Sequence, residues 1–469
     1  MSDVKEPRAE YTQALPGVIR NRAAIDGGRA VRAGGVKFLA PLASMCSSFN
    51  YDTKEMHYSK TLTIDGEASY QKYLENAYFY AAAQRTVEGL VGLIFSKDAK
   101  TILPPSVNYL EWNADGRGTT LRDISKTGCK EALQSDWSGY LVARPSTPEG
   151  SSEAEVQAKN LRPKLLHYKF ESIINWDYEV VNNIEKLSLL VLKESTTKRT
   201  GFKVESEDQY RVLELIKGVY HQSLYNKDGE ILNDSKPVII NGNTSDTIPF
   251  FWVSEPTVGQ APICGLVDAN FQHYNLYADY GSKLHYSSFV IYTETGAEDG
   301  KNNMLGNGVK WSNSNSDATY GVLQPDGNSD GHRIALQDME QRMAALGAEQ
   351  LKPRTSGAES AEAKGLDQVA QNATTADVAI TVSDALVKAI DFASMWMGGQ
   401  ESTEYALNTD YNPTGMDANK LNALFATYLG GGITYEDFYA NLQRGEIALS
   451  EMTAEESLSK ITLSTSGME

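Results

Sequence analysis

The sequence predicts an α+β protein, and three observations carry that reading. From Pro163 to about Trp252 the chain is rich in β-branched and aromatic residues with partial alternation, in KLLHYKFESIINWDYEVV, LSLLVLKE, QYRVLELIKGVYHQSLY and KPVIING. That is the composition of a pleated, half-buried surface. On both sides of this stretch, apolar residues recur at spacings of three and four, the helical period. Late in the chain, Glu359 to Gly398 reads as a single helix with no proline and one internal glycine, Gly365. At about 1.5 Å per residue it would span roughly 60 Å, where a helix usually has about 11–12 residues.

The apolar residues of that long helix fall on two sides. Val369, Ala373, Ala376, Ile380 and Val387 form one; Val378, Val382, Ala385, Leu386, Ala389, Ala393 and Trp396 form the other. A helix apolar on more than one side packs on more than one side. It is therefore either a core helix of a large domain or a spine shared between subunits.

The totals narrow the class. A length of 469 residues suggests about three structural regions. With 41% hydrophobic and 22% charged residues the chain is globular, not disordered. No run of 18 apolar residues occurs, so no membrane span is expected. The opening MSDVKEPRAEYTQ has no apolar core of a secretory leader. Cys46, Cys129 and Cys264 are far apart and odd in number, which fits a reducing compartment and gives no zinc pattern. The net charge of −18 disfavours a broad grip on nucleic acid, which is itself densely negative, but lets the protein surround or guide DNA. Solubility is the plain alternative.

Residues 1–40 read as an arm. Within it, Arg20, Arg22, Arg29, Arg32 and Lys37 set a basic stretch against one acid, Asp26, as a solvated face or as a contact with an acidic neighbouring subunit or DNA. Ala68 to Asp98 reads as a helical region, ended by Pro104 and Pro105. Thr119 to Asp136 is a second helix, followed by a strand from Gly139 to Ala143. After the β-rich stretch, with a hairpin turn at Asn226-Lys-Asp-Gly, a helix runs from Leu266 to about Ser287. Its aromatics Phe271, Tyr274, Tyr277 and Tyr280 recur every three residues. FVIYTE reads as a strand. Residues 296–332 are rich in Gly, Asn, Ser and Asp, with a strand-like patch near Tyr320–Leu323. Ile334 to Leu351 is helical, and a small polar loop precedes the long helix. Three short helices end the chain. The first stops at Gly430-Gly-Gly432, the second starts at Thr434, and Thr453 with Glu456 makes a capping box for the third.

Catalytic motifs are mostly absent from the sequence. No GxxxxGK[ST], HExxH, GxSxG or CxxC occurs, so no ATPase motor and no cofactor is expected. The six histidines are scattered; His273 and His285 share the aromatic helix but are too far apart for one metal on one turn. Asp326, Asn328 and Asp330, with Gly331, match the opening of a calcium loop, but the twelfth position is Gln337 where a bidentate Glu belongs. A plain polar turn is the simpler reading. An Asp/Glu pair could serve an acidic hydrolase, though none of the 61 acids is singled out. Lys352, Arg354 and Lys364, beside Glu359 and Glu362, are three cations able to touch phosphates transiently.

Several phrases, in this order, carry a likeness: YLENAYFYAAAQRTVEGLVGLIFSK, ESIINWDYEV, GLVDANFQHYNLYADY, AEAKGLDQVAQNATTADVAITVSDAL, and the Gly432-Ile-Thr-Tyr-Glu-Asp tail with LQRGEIAL. Over roughly residues 10–455 the chain resembles the portal, or head-to-tail connector, proteins of tailed bacteriophages, in a portal-like branch of short-tailed phages. It departs from that pattern at Ser138-Gly-Tyr-Leu-Val-Ala-Arg, where an arginine-containing turn would precede the strand.

The resemblance implies a portal fold and a ring, usually of twelve copies, at one capsid vertex of the virion, assembled in the host bacterial cytoplasm. It implies an arm and α/β wing over 1–263, a first stem helix over 264–288, and a clip over 289–332. A second stem helix would span 333–351, a tunnel loop 352–365, a spine helix and wing return 366–415, and a crown 416–469. Lys352, Arg354 and Lys364 would then line the DNA channel. In the clip, Lys301, Asn302, Lys310 and Trp311 would dock the packaging terminase and later the tail adaptor. Other partners implied are the major capsid and scaffolding proteins and the double-stranded DNA itself, with no membrane. A structural ring without DNA passage is the alternative.

Overall fold

Threonine caps set where two of the early helices begin. α1 (Ala9–Asp26) and the short α2 (Gly28–Ala33) come first. β1 (Ser47–Asn50) and β2 (Glu55–Tyr58) pair antiparallel. α3 (Ile64–Asn76) starts at Thr63, whose side chain accepts from the Gly66 N–H, and α4 (Ala82–Ile94) follows. The expected helical region is made of two helices. The break is made by tertiary contacts: Phe79 is buried against Phe271 and Tyr274. Asn270 donates to the Tyr80 carbonyl at 2.6 Å and accepts from the Ala83 N–H at 3.2 Å, so two of the backbone groups freed by the break are satisfied.

The structure, a computed structural model, describes residues 3–50, 55–58, 62–143, 161–181, 183–240, 243–259, 261–287, 291–295, 317, 319–323, 329–347, 361–400, 402–411, 418–445, 447–448 and 452–465. It is mixed α and β and divides into two units, Met1–Thr409 and Asp410–Glu469.

In the first unit, β3 (Lys100–Ile102) precedes α5 (Leu121–Gln134), which Thr120 caps by accepting from Asp123. β4 (Ser138–Ala143) and β5 (Lys164–Tyr168) follow. The β-rich stretch then folds as an antiparallel meander of β6 (Ile173–Val181), β7 (Ile184–Thr200), β8 (Lys203–Ile216), β9 (Val219–Asn226) and β10 (Ile231–Pro237), each strand paired with the next. The turn between β9 and β10 is the expected one. Asn226 Oδ1 accepts from the N–H groups of Asp228 and Glu230, and Gly229 takes φ 87°, a conformation natural to glycine. β11 (Ile239–Ile240) and β12 (Asn243–Thr244) form a small pair, and β13 (Phe250–Ser254) joins β4 and β5 in a three-stranded sheet. The two sheets share a core centred on Trp137, Phe170 and Trp176.

β7 and β8 outrun their neighbours. The β6 register reaches β7 only as far as Leu192, and the β9 register reaches β8 only from Gln209. Among the described residues, Ser195 to Thr200 and Lys203 to Asp208 therefore pair with each other alone, a free-standing two-stranded ribbon.

The unit continues with α6 (Cys264–Ser287), β14 (Ile291–Thr295), β15 (Thr319–Leu323), α7 (Asp330–Ala345), α8 (Ala361–Trp396) and β16 (Glu404–Ala406). β16 returns to pair with β3. The second unit holds α9 (Ala418–Leu429), α10 (Tyr435–Arg444) and α11 (Ala454–Thr465). Phe438 stacks on Tyr428, and Tyr435 bonds Ser457. The expected capping box is present: Thr453 N donates to Glu456 at 3.1 Å and Glu456 N to Thr453 at 3.2 Å.

Candidate functional site

The chain leaves the body of the first unit along α6 and comes back along α7. Two contacts fix the direction. His273 lies 3.5 Å from Glu340, and Tyr280 stacks on His332; as one number rises the other falls, so the helices are antiparallel. Between them β14 and β15 form a hairpin in register from Ile291↔Leu323 to Thr295↔Thr319. At about 1.5 Å per residue the 24 residues of α6 extend roughly 36 Å.

Burial divides the pair into a root and a projecting end. At the root, Leu266, Val267, Phe271 and Tyr274 of α6 and Met343 and Ala344 of α7 are buried. Toward the hairpin, Leu284 and Ile334 are exposed. The aromatic spacing of three therefore reports two environments: Phe271 and Tyr274 in the core, Tyr277 and Tyr280 half-buried. Polar residues of α6 clasp the N-terminal segments. Arg20 donates to Asp268 and Tyr73 to Asp279, both at 2.6 Å, and Asn275 donates to the Phe38 carbonyl and accepts from the Ala40 N–H.

His273 is 1% exposed and makes no hydrogen bond. Burial pulls its pKa down, and Glu340 opposes that shift. The separation of 3.5 Å is ion-pair range without hydrogen-bond geometry. Nothing in the sequence links these two residues, because their partnership comes from the antiparallel return.

The basic arm is corrected. Arg22 is neither on a solvated face nor available to DNA. It is bound inside the unit to Glu131 and Glu171, because Glu131 on α5 is itself buried and needs a cation. Arg20 is taken by Asp268.

α8 has the two apolar sides expected of it, and they differ. Val378, Val382, Ala385, Leu386, Ala389, Ala393 and Trp396 are buried against α5, β4, β13 and β16. On the other side Ile380 is half exposed, Ala373 is exposed, and Ala376 and Val387 are only partly covered. Ser383 fixes the buried side by accepting from the Leu407 N–H at 3.0 Å.

Of the expected site residues, Lys352, Arg354, Lys301, Asn302, Lys310, Trp311, Asp326 and Asn328 lie outside the described residues. Lys364 falls in the first turn of α8, so the end of the expected loop 352–365 is helical from Ala361. Asp330 opens α7 and accepts from Arg333 at 3.3 Å. Among the described residues no three or more His, Cys, Asp or Glu gather as metal ligands, and no helix is long and apolar enough to cross a membrane.

A family model described as a domain of unknown function, DUF4055, matches residues 262–397. That segment holds α6, β14, β15, α7 and α8, the out-and-back pair together with the long helix. No curated protein matches the chain.

Proposed function

We propose that the chain is the subunit of a phage portal, a ring of about twelve copies at one capsid vertex that serves as a passive channel for double-stranded DNA. The observation that carries this reading is the out-and-back pair α6–α7, capped by a hairpin and followed by the 36-residue α8 with one apolar side left open. In this reading α6 and α7 are the stem, and β14 and β15 are the base of a clip that docks the terminase and later the tail adaptor. α8 is the spine of the wing, and the second unit is the crown. An outward apolar side on a long helix fits a heterologous contact, one patch of a subunit against a different patch of the next, which closes on itself in a ring. The charge of −18 per copy, multiplied around a ring, suits DNA that slides without sticking. In this reading the protein performs no chemistry; a separate motor hydrolyses ATP, capsid and scaffolding proteins receive the ring, and the virion is its final location.

Electron microscopy of the purified protein tests this. Rings with an axial opening wide enough for a DNA duplex are expected. A closed ring would sink the conduit and leave a structural ring; a monomer would sink both.

A further inference from the structure

The ribbon formed by Ser195–Thr200 and Lys203–Asp208 is exposed throughout and has no packing role inside the subunit. At about 3.3 Å per residue its six-residue β7 arm, Ser195–Thr200, reaches roughly 20 Å past the last residues that β9 pairs. An isolated two-stranded ribbon is marginal in water, and both edges of this one are unpaired. Its end is apolar: Phe202 is 100% exposed and Val204 61% exposed. A wholly exposed phenylalanine at the apex of a projecting ribbon is unaccounted for by folding of this chain.

Charge indicates what covers it. From Lys198 to Val204 there are three cations, Lys198, Arg199 and Lys203, and no acid. Lys203 also reaches Glu205 at 2.6 Å, and the Arg199 Nε donates to the Gly201 carbonyl, so the tip is held as a shaped cationic loop. The ribbon from Ser195 to Asp208 carries three cations and three acids, so the whole charge of −18 resides on the rest of the chain. Nucleic acid suits the ribbon poorly, because Glu205, Glu207 and Asp208 leave it with no net positive charge to draw a duplex against its length.

We infer that the tip of the β7–β8 ribbon docks on an acidic, partly apolar surface of a second copy of this chain, with Phe202 as the anchor and Lys198, Arg199 and Lys203 steering it. This rests on the ring reading and names the element that reaches from one subunit to the next. An aromatic anchor ringed by cations is the composition of an interface hot spot, and opposite charge across the contact gives speed and register.

The test uses the full chain. Lys198→Glu, Arg199→Glu and Phe202→Ser are combined, and Phe202→Ser is also made alone; Phe202 touches nothing that folding needs. Mass photometry and analytical ultracentrifugation follow assembly, thermal melting by circular dichroism follows folding, and duplex DNA retardation is run in parallel. The expected result is a wild type that assembles, a Phe202→Ser chain with self-association weakened at least about 10-fold, and a triple variant that stays monomeric, all with unchanged melting. A photo-crosslinking phenylalanine analogue at 202 is expected to yield a covalent dimer. If the wild type forms rings and both variants form them equally, the ribbon assignment is overturned and the ring reading stands. A monomeric wild type with no crosslink overturns both. Variants that assemble normally but lose DNA retardation overturn the protein–protein assignment in favour of nucleic acid.

Discussion

Arg22 holds Glu131 with two prongs, Nη1 to Oε1 at 2.8 Å and Nη2 to Oε2 at 2.7 Å, around a carboxylate that is 2% exposed. Glu171 takes the remaining side of the guanidinium through Nε and Nη2. Gln134 and Ser135 also donate to Glu131. Burial alone would push the Glu131 carboxyl up, yet the Arg22 partner outweighs it and the net shift is downward. The pair ties α1 to α5 and to the turn before β6.

Removing one partner strands the other. Arg22→Met is expected to cost about 3–5 kcal/mol, since it leaves a buried charge uncompensated. Arg22→Met with Glu131→Leu is expected to recover at least half of that loss, because an apolar pair carries no desolvation penalty. Urea unfolding of the three proteins checks this; equal loss in single and double variants would mean that the geometry, not the charge, is what matters.

Acid is expected to loosen the same region through His167. Burial lowers its pKa from an ordinary value near 6.5 to about 4, against the opposing pull of Glu131. Neither ring nitrogen has a hydrogen-bond partner. The unfolded chain binds the proton first, so stability is full above pH 6.5 and falls as pH drops from 6.5 to about 4, by about 3 kcal/mol in all. His167→Phe, which keeps an aromatic ring beside Tyr140, is expected to flatten the urea midpoint between pH 7 and pH 5. An unchanged slope would assign the acid sensitivity elsewhere.

Gly128 illustrates a sign reversal. In an exposed helix Gly→Ala gains about 1 kcal/mol. Here an added Cβ would stand 2.0 Å from the Tyr140 hydroxyl oxygen, with Val382 of α8 close by at 3.5 Å. Overpacking costs about 1–3 kcal/mol, so Gly128→Ala is expected to destabilise, and Tyr140→Phe in that background is expected to restore most of the loss. Thermal melting of the two variants decides it.

The two sides of α8 are expected to answer differently to the same insult. Val382→Asp puts a charge at a wholly buried position and is expected to unfold the first unit. Ile380→Asp alters a half-exposed position, and monomer stability is expected to change by no more than about 0.5 kcal/mol while ring assembly fails. Sedimentation beside urea unfolding separates these effects. Rings at wild-type yield from Ile380→Asp would take this side out of the subunit interface.

Joint replacement of Lys352, Arg354 and Lys364 by Ala is expected to reduce DNA retention or packaging while rings form at normal yield. Unchanged packaging would remove these cations from the channel.

Much of the fold was legible because it rests on local rules. Thr120, Thr434 and Thr453 cap the helices that begin after them, and Asn226 and Gly229 make the turn their types require. What was not legible depends on residues distant in sequence. The break between α3 and α4 is imposed by Asn270. The role of Arg22 is set by Glu131 and Glu171, more than a hundred positions away, where sequence alone saw only a run of cations. The His273–Glu340 pair follows from the antiparallel return of α7. The apolar count on α8 was readable, but which side the subunit itself covers was not.

The pairing of β16 with β3 imposes an order of events on synthesis. Ser125 meets Tyr405 at 2.6 Å across 280 positions, and Asn408 donates to the Leu93 carbonyl across 315. A ribosome working at about 5–20 residues per second needs roughly 15–60 s to supply those partners after the early helices emerge. Until then α5 and the buried side of α8 lack their final cover. In the proposed ring, a chain can offer a finished surface to its neighbours only once residues through Asn408 have left the ribosome, so assembly of copies is expected to follow their synthesis.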